Sequence, residues 1–341
     1  MTATVRAAVP AGCRPERLAR LMREAVDRCR LDLTGRHVLT EAATGAYVST
    51  AVMAAMAGGR VTAYTRATRH GTVAEVRAWT ERVAAAAGVR GAVEVVEDLS
   101  PALIGTADVV TNSGHLRPLD AAFVGSLRPG AVVSLMMEAW EIGAGRVDVD
   151  LAALRRAGVP FAGTDERHPA VGVFDYLGVM AVKLLVDAGI AVLGSRVLLL
   201  CDNPFGHYVA RTLRACGARV TVAASPTALT RCEPADAVVV SLTPAEVFRV
   251  TREDLATVAL RMPDAVVAQF FGDVDRAAAE ELGIHCWPDP PPPHGHMGVL
   301  PSDIGPEPII RLQAGGLKVA QVLRTPEHER TDADRGFLDV L

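Results

Sequence analysis

Three regions of the chain carry side chains that could do chemistry. TNSGHLRP brings His115 and Arg117 close in sequence, and Glu138, Glu141, Asp165, Glu166 and His168 follow. CDNPFGHY, residues 201–208, sets Asp202, Asn203, Phe205, Gly206, His207 and Tyr208 around a turn. HCWPDPPPPHGH places His285, Cys286, His294 and His296 around four consecutive prolines. Histidine and carboxylate exchange protons near neutrality, and arginine orients a carboxylate. Such a set suits proton transfer beside a carbonyl, the usual accompaniment of hydride transfer. His115 with Glu138 is the expected acid–base pair. Arg117, Glu141, His168 and His294 are the further catalytic candidates, and each type is also at home as a solvated loop residue. The His/Cys set has zinc-ligand types, but its spacing fits no recognised zinc pattern. No metal is expected, and a proline-stiffened lid carrying His294 or His296 toward a cleft is the preferred reading.

The elements that must position these residues alternate along the chain. Residues 14–31 place Leu18, Leu21, Met22, Ala25 and Val26 on one helical face. HVLTEA, RVTAYT, AVEVVED, ADVVTNS and AVVSLMM read as strands, separated by helical stretches such as VSTAVMAAMAGG and TVAEVRAWTERVAAAAG. Val-rich strands alternating with helices indicate a parallel sheet covered on both faces. Residues 170–193 read as a helix joining two domains. The alternation then restarts with RVLLLC, HYVARTLRACG, ARVTVAA, DAVVVSL and DAVVAQF. A last helix, PEPIIRLQAGGLKVAQVL, precedes a charged tail expected to be mobile. The expected division is an N-terminal helix (1–33), a first domain (34–169), the joining helix (170–193), a second domain (194–298), a C-terminal helix (299–325) and the tail (326–341).

The restart is an internal repeat. GRHVLTEAATGAYVSTAVMAAMAGGRVTAY aligns with SRVLLLCDNPFGHYVARTLRACGARVTVAA, matching Gly45 to Gly206 and Tyr47 to Tyr208. The predicted fold is therefore α/β, with two tandem Rossmann-like parallel-sheet domains facing a cleft.

Bulk properties exclude several classes. Half the residues are apolar and 22% are charged, which suits packed cores rather than disorder. A net charge of −4 offers no electrostatic attraction to nucleic acid or an anionic membrane. No apolar run approaches the 18 residues of a spanning helix, and MTATVRAAVPAGCRPERL lacks the apolar core of a secretory leader. The six cysteines include no CxxC pair, so reduced thiols and a cytoplasmic location are expected.

In a doubly wound sheet the ligand sits at the carboxyl ends of the strands, where amides at a helix start favour phosphate. Both repeats have one glycine in that turn, Gly45 and Gly206, where the usual fingerprint has three. Neither second strand ends in the acid that binds the ribose of NAD. The first continues into Arg66, Arg69 and His70, and the second into Ser225, Thr227 and Arg231. Hydroxyls and arginine without an acid favour NADP over NAD. The cofactor-binding candidates are Asp202, Asn203, Phe205, Gly206, His207, Ser225 and Thr227, with Gly45 in the first half.

The stretch ADVVTNSGHLRPLDAAFVGSLRPGAVVSLMMEAW resembles the cofactor domain of D-2-hydroxyacid dehydrogenases. A strand at Ala107–Val110, a polar turn at Thr111–Gly114 and Arg128-Pro129-Gly130-Ala131 before the next strand carry the likeness, which covers residues 105–169. That family's catalytic arginine is replaced by the run Met137-Glu138-Ala139-Trp140-Glu141, and its Pro-His loop has no counterpart after His168 in this half. VLLLCDNPFGHYVARTLRACGARVTVAASPT is similar to the NADP segment of methylene-tetrahydrofolate dehydrogenases, and adenosylhomocysteine hydrolases share the two-domain arrangement. These resemblances imply an NAD(P)-dependent oxidoreductase acting on a small polar metabolite in an interdomain cleft, and a homodimer. The alternatives are lyase or hydrolase chemistry with a retained NAD, and a non-catalytic binding or dimerisation protein.

Overall fold

Two parallel sheets form from the Val-rich runs. The computed structural model describes residues 11–143 and 148–341. The stretch in which no secretory leader was expected lies partly outside them. The strands in chain order are β1 His37–Glu41, β2 Arg60–Tyr64, β3 Val93–Val96, β4 Val109–Thr111, β5 Val132–Ser134, β6 Phe161–Thr164, β7 Arg196–Cys201, β8 Arg219–Ala223, β9 Ala237–Ser241, β10 Val266–Phe271, β11 Cys286–Trp287 and β12 Leu338–Asp339. One sheet runs β12-β6-β5-β4-β1-β2-β3 and the other β11-β10-β9-β7-β8. All pairs are parallel except β12 on β6. Every residue of β1 and β9 is buried, as expected of strands covered on both faces.

The chain divides into two compact units, Met1–Val173 with Gly305–Leu341, and Phe174–Ile304. In the first, the helix Pro15–Cys29 buries Leu18 and Met22 completely. Each contributes about 1.5–3 kcal/mol by leaving water. The helix Val73–Ala87 starts at a Thr72–Glu75 capping box and stops at Gly88. The helix Glu307–Arg324 lies over β5 and β6 because Gly315 and Gly316 face Val171 and Met136 closely. A Cβ at Gly316 would overlap the Met136 sulfur.

The repeat is visible in the register. His37 pairs with Arg60 and Arg196 pairs with Arg219, so both partners in the second unit lie 159 residues further on. Among the described residues, the second sheet has no equivalent of β3 and its helix, but β9, β10 and β11 stand where β4, β5 and β6 stand in the first.

Four expectations need correction. The segment 170–193 does not form a separate joining element: its helix, Leu177–Asp187, buries Leu177, Met180, Ala181, Leu184 and Leu185 in the second unit. Its Gly178 presses on the helix Phe205–Ala215, where a Cβ would overlap Thr212 Oγ1. The terminal helices are not separate elements either; Leu18, Met22, Ile310, Ala314 and Leu317 share the core of the first unit. The tail is ordered at its end: Leu338 and Asp339 pair with Thr164 and Gly163, and Phe337 is buried. Finally, the Pro-rich segment is not all loop, since Cys286 and Trp287 pair with Val267 and Ala268.

Candidate functional site

Strand order reverses between β1 and β4 in the first sheet and between β7 and β9 in the second. Crevices at such reversals, outside the carboxyl ends of the strands, are where doubly wound sheets bind ligands. Each unit therefore has one candidate site.

In the first unit, β1 ends in Glu41, and the chain turns through Gly45 before the helix Ser49–Met56. Gly45 has φ +63°, and a Cβ there would meet nothing within 4 Å. The turn needs glycine for its left-handed backbone rather than for space. The Gly45 carbonyl accepts a bond from Trp79 Nε1 at 3.0 Å, which ties the turn to the helix Val73–Ala87. Opposite, the turn after β4 carries Asn112, Ser113, Gly114 and His115. The His115 amide donates to Glu41 Oε2 at 3.1 Å. Glu41 is only 3% exposed and meets no cation in an ion pair among the described residues. Its other oxygen takes no hydrogen bond from them. Burial pushes its pKa up to about 7, against the opposing influence of the His115 amide and Arg117. Gly114 makes this placement possible, because a Cβ there would overlap Glu41 Oε2. Beneath the turn, Thr40 Oγ1 contacts Thr111 Oγ1 at 2.8 Å and Ser113 Oγ at 3.2 Å. The amide nitrogen of Asn112 is buried without an acceptor among the described residues, while its oxygen accepts from the Met136 N–H at 2.7 Å.

Basic residues lie within electrostatic reach of His115. Burial lowers the pKa of His115, and Arg66, His70 and Arg117 push in the same direction. Thr44 Oγ1 donates to the His70 carbonyl at 3.2 Å, which draws the turn after β2 toward that after β1. Arg117 is already engaged by Asp148 at 2.9 Å. Arg66 is exposed and has no ion-pair partner among the described residues.

The other candidates of the first unit hold loops together. Among the described residues, no hydrogen bond joins His115 to Glu138. Glu138 is buried and accepts from Trp140 Nε1 at 2.7 Å and the Glu166 amide at 3.2 Å, and Arg167 Nε lies 3.5 Å away. Burial raises its pKa, and Trp140, Arg167 and the Glu166 amide lower it. Glu141 accepts from the Glu138 amide at 2.9 Å. Asp165 accepts from the Arg167 amide at 2.9 Å. His168 stacks on Phe337 with ring centroids 3.8 Å apart, and its Nδ1 accepts from the Ala170 amide. Burial lowers the pKa of His168, and Asp165 raises it.

In the second unit, Asp202 accepts from the Thr243 amide at 2.7 Å and from Arg249 at 2.7 Å. Asn203 donates to the Ser241 carbonyl at 2.9 Å and accepts from the Phe205 amide at 3.1 Å. Both residues thus fasten the turn after β7 to β9 and its loop. Phe205 is buried against Phe174 and Phe271. Gly206 is helical, and a Cβ there would stand 3.2 Å from Cys201 Sγ, so it serves close helix–strand packing. His207 is exposed in the first turn of the helix Phe205–Ala215. Ser225 accepts from the Thr227 amide at 3.3 Å, in the turn after β8. At the end of β10, His294 Nδ1 lies 2.9 Å from Asp273 Oδ2; Asp273 is buried and His294 exposed. His296 Nδ1 lies 2.9 Å from the His294 carbonyl. Among the described residues, no group of three or more His, Cys, Asp or Glu could hold a metal ion. No helix of the described residues is long and apolar enough to cross a membrane.

No protein-family model matches the sequence, and no curated protein matches it. Solved structures do. A dipicolinate synthase component from Bacillus halodurans superposes with a TM-score of 0.57 at 14% identity, covering 86% of this chain and 100% of its own. The corresponding dipicolinate synthase chain from Bacillus subtilis gives 0.55 at 13% identity over 86% and 97%. D-lactate dehydrogenase from Lactobacillus jensenii, solved with NAD+, gives 0.50 at 13% identity over 89% and 99%. The chain shares the two-domain, Rossmann-like α/β fold of these structures. These likenesses span both units, and at such identities they speak for architecture alone.

Within that fold, the sequence pattern located the turns after β1, β4, β7 and β8. Glu41, Asp273 and the role of Gly114 escaped it. The one signal for Glu41 was an acid closing the apolar run HVLTE shortly before a glycine turn. Asp273 and His294 lie twenty-one residues apart, and nothing in their spacing announces that they meet.

Proposed function

We propose that the chain is an NAD(P)-dependent oxidoreductase acting on a small polar metabolite, with the cofactor held by the second unit. The observation that carries this reading is the carboxyl edge of the second sheet. It combines a helix start at a strand-order reversal with a histidine whose Nδ1 lies 2.9 Å from a buried carboxylate. Asn203 takes the first two amides of the helix Phe205–Ala215, so a pyrophosphate there would rely on the amides that follow them. Gly206 fits the glycine that lets helix and strand pack closely in dinucleotide-binding turns. The turn after β8 presents Ser225 and Thr227 and no acid, which suits the ribose phosphate of NADP.

A bound nicotinamide would supply hydride exchange. His294 would exchange the accompanying proton at Nε2, since Nδ1 faces Asp273. Asp273 would orient the ring, the role of the carboxylate in carboxylate–histidine pairs.

Titration of the purified chain with NADPH and NADH, followed by nucleotide fluorescence, tests the reading. Selective NADPH binding is expected, with His294→Asn leaving that affinity within about twofold while abolishing turnover. Binding of neither nucleotide would overturn it.

A further inference from the structure

The amino edge of the first sheet, opposite the turns that follow β1 and β4, holds a cleft of about 370 Å³. That volume is within the range of small-molecule sites. Arg36, Arg60 and Arg128 line it together with His37 and Asp108. Three guanidiniums thus share one carboxylate, and that carboxylate is spent. Asp108 Oδ1 accepts from Arg128 at 2.7 Å, and Oδ2 accepts from the His37 amide at 2.9 Å. Arg36 is half-buried and Arg60 exposed, and among the described residues neither meets a carboxylate in an ion pair. Asp32 lies within electrostatic reach of Arg36, but its Oδ1 accepts from the Thr34 amide at 2.9 Å. Arg60 instead lies 2.8 Å from His37 Nδ1. Burial lowers the pKa of His37; the Thr106 carbonyl, Asp108 and Glu94 oppose this and Arg60 adds to it, so the ring is neutral and brings no charge. Nδ1 also lies 3.0 Å from the Thr106 carbonyl, and one nitrogen cannot accept from Arg60 and donate to a carbonyl at once.

These arginines are not needed to close the neighbouring helix. The helix Ser49–Met56 ends just before Gly58, which lines the cleft, and the carbonyls of Met53, Ala54, Ala55 and Ala57 already accept backbone amides. The repeat shows the same edge without the excess charge. Asp236 clasps Arg196 through backbone bonds as Asp108 clasps His37. The matching hollow in the second unit measures about 70 Å³ and is lined by Arg196, Arg219 and Glu233. Arg196 lies 3.8 Å from Asp236 there, so two guanidiniums have two carboxylates close by. The first unit keeps the scaffold, widens the hollow and leaves two arginines uncompensated.

We propose that the cleft at the amino edge of the first sheet binds a phosphate group, with Arg36 and Arg60 as its ligands. A guanidinium stays charged at any physiological pH, and its planar fork matches phosphate oxygens two at a time. A phosphate on Arg60 also frees His37 Nδ1 to donate to the Thr106 carbonyl, while Nε2, 2.9 Å from Thr62 Oγ1, accepts from that hydroxyl. The cleft has room for an organic group carried on the phosphate. The site lies within one unit and does not rest on the oxidoreductase reading.

The test is a calorimetric titration of the full chain with orthophosphate, glycerol 3-phosphate and succinate, at about 0.15 M salt so that distant surface charges are screened. At least one of the two phosphates should bind at a single site with a Kd of about 1 mM or tighter. Succinate, a carboxylate dianion, should bind at least about tenfold more weakly. The tighter of the two phosphates identifies the source, the free ion or an ester. Arg60→Gln and Arg36→Gln should each weaken binding about tenfold, the worth of a charge-assisted hydrogen bond, in chains whose thermal unfolding shows them folded. Arg219→Gln, at the matching place in the second unit, should leave the affinity within about twofold. Absence of binding by both phosphates at about 10 mM, succinate binding as tightly as phosphate, or the same loss in Arg219→Gln as in Arg60→Gln would each overturn the assignment.

Discussion

The two strand-order reversals begin alike and end in opposite chemistry. β1 and β7 pair with β2 and β8 in the same register, and each is followed by a turn with one glycine. β1 closes on Thr40 and Glu41, whereas β7 closes on Leu200 and Cys201. In the second unit the first acid comes one residue past the strand, and Arg249 and Thr243 neutralise it. In the first, the acid is on the strand itself, buried, and met only by an amide. The lesson is that a repeat keeps the scaffold and leaves the strand ends free to diverge. The glycines diverge too: Gly45 supplies a backbone conformation, and Gly206 supplies room for Cys201.

The sharpest way to break the comparison is at Gly114. Gly114→Ala drives a methyl into Glu41, so a loss of about 3 kcal/mol or more is expected by denaturant unfolding. Most of that loss should disappear in a Glu41→Ala background, because the clash partner is gone. A full loss in both backgrounds would locate the strain in the backbone at φ +35° instead.

The next effect is electrostatic. The folded pKa of Glu41, about 7, lies above its ordinary value of 4.5, so the native state binds more protons between the two. Stability therefore falls as pH rises from about 4.5 through 7, and the full cost is present above 7. The shift corresponds to something on the order of 3 kcal/mol. Glu41→Gln carries no such cost, so its stability relative to wild type should grow from about pH 5 to about pH 8. Parallel stability curves across that range would show that Glu41 ionises without penalty.

The smallest effects separate the two turn glycines. Gly45→Ala should cost about 1–2 kcal/mol, since it places a side chain at φ +63° in open space. Gly206→Ala should change stability by less than about 1 kcal/mol, because improved helix propensity offsets a 3.2 Å approach to Cys201. Equal effects at both positions would erase the distinction.

Much of this was legible in the sequence, and the reason is local. Alternating Val-rich and amphipathic stretches report burial over a few residues, so the parallel sheets and the helices Pro15–Cys29, Val73–Ala87 and Glu307–Arg324 could be read directly. The turns at strand ends followed from the same pattern, and with them His115, Gly206 and Ser225. Short β6, β11 and β12 carry too few residues to show a period, and two of them pair with strands or tail segments distant in sequence.

The sequence by itself determined the α/β class, the repeat and the loops in which polar residues gather, because periodicity and turn chemistry are short-range. Only the tertiary structure decided that the C-terminal helix and tail complete the first unit, and that Glu138 and His168 brace loops. It alone decided that Glu41 rests on Gly114 and that His294 meets Asp273. Those outcomes depend on which distant segments share one sheet edge, and burial and pairing there set whether a carboxylate is neutralised or left waiting for a partner.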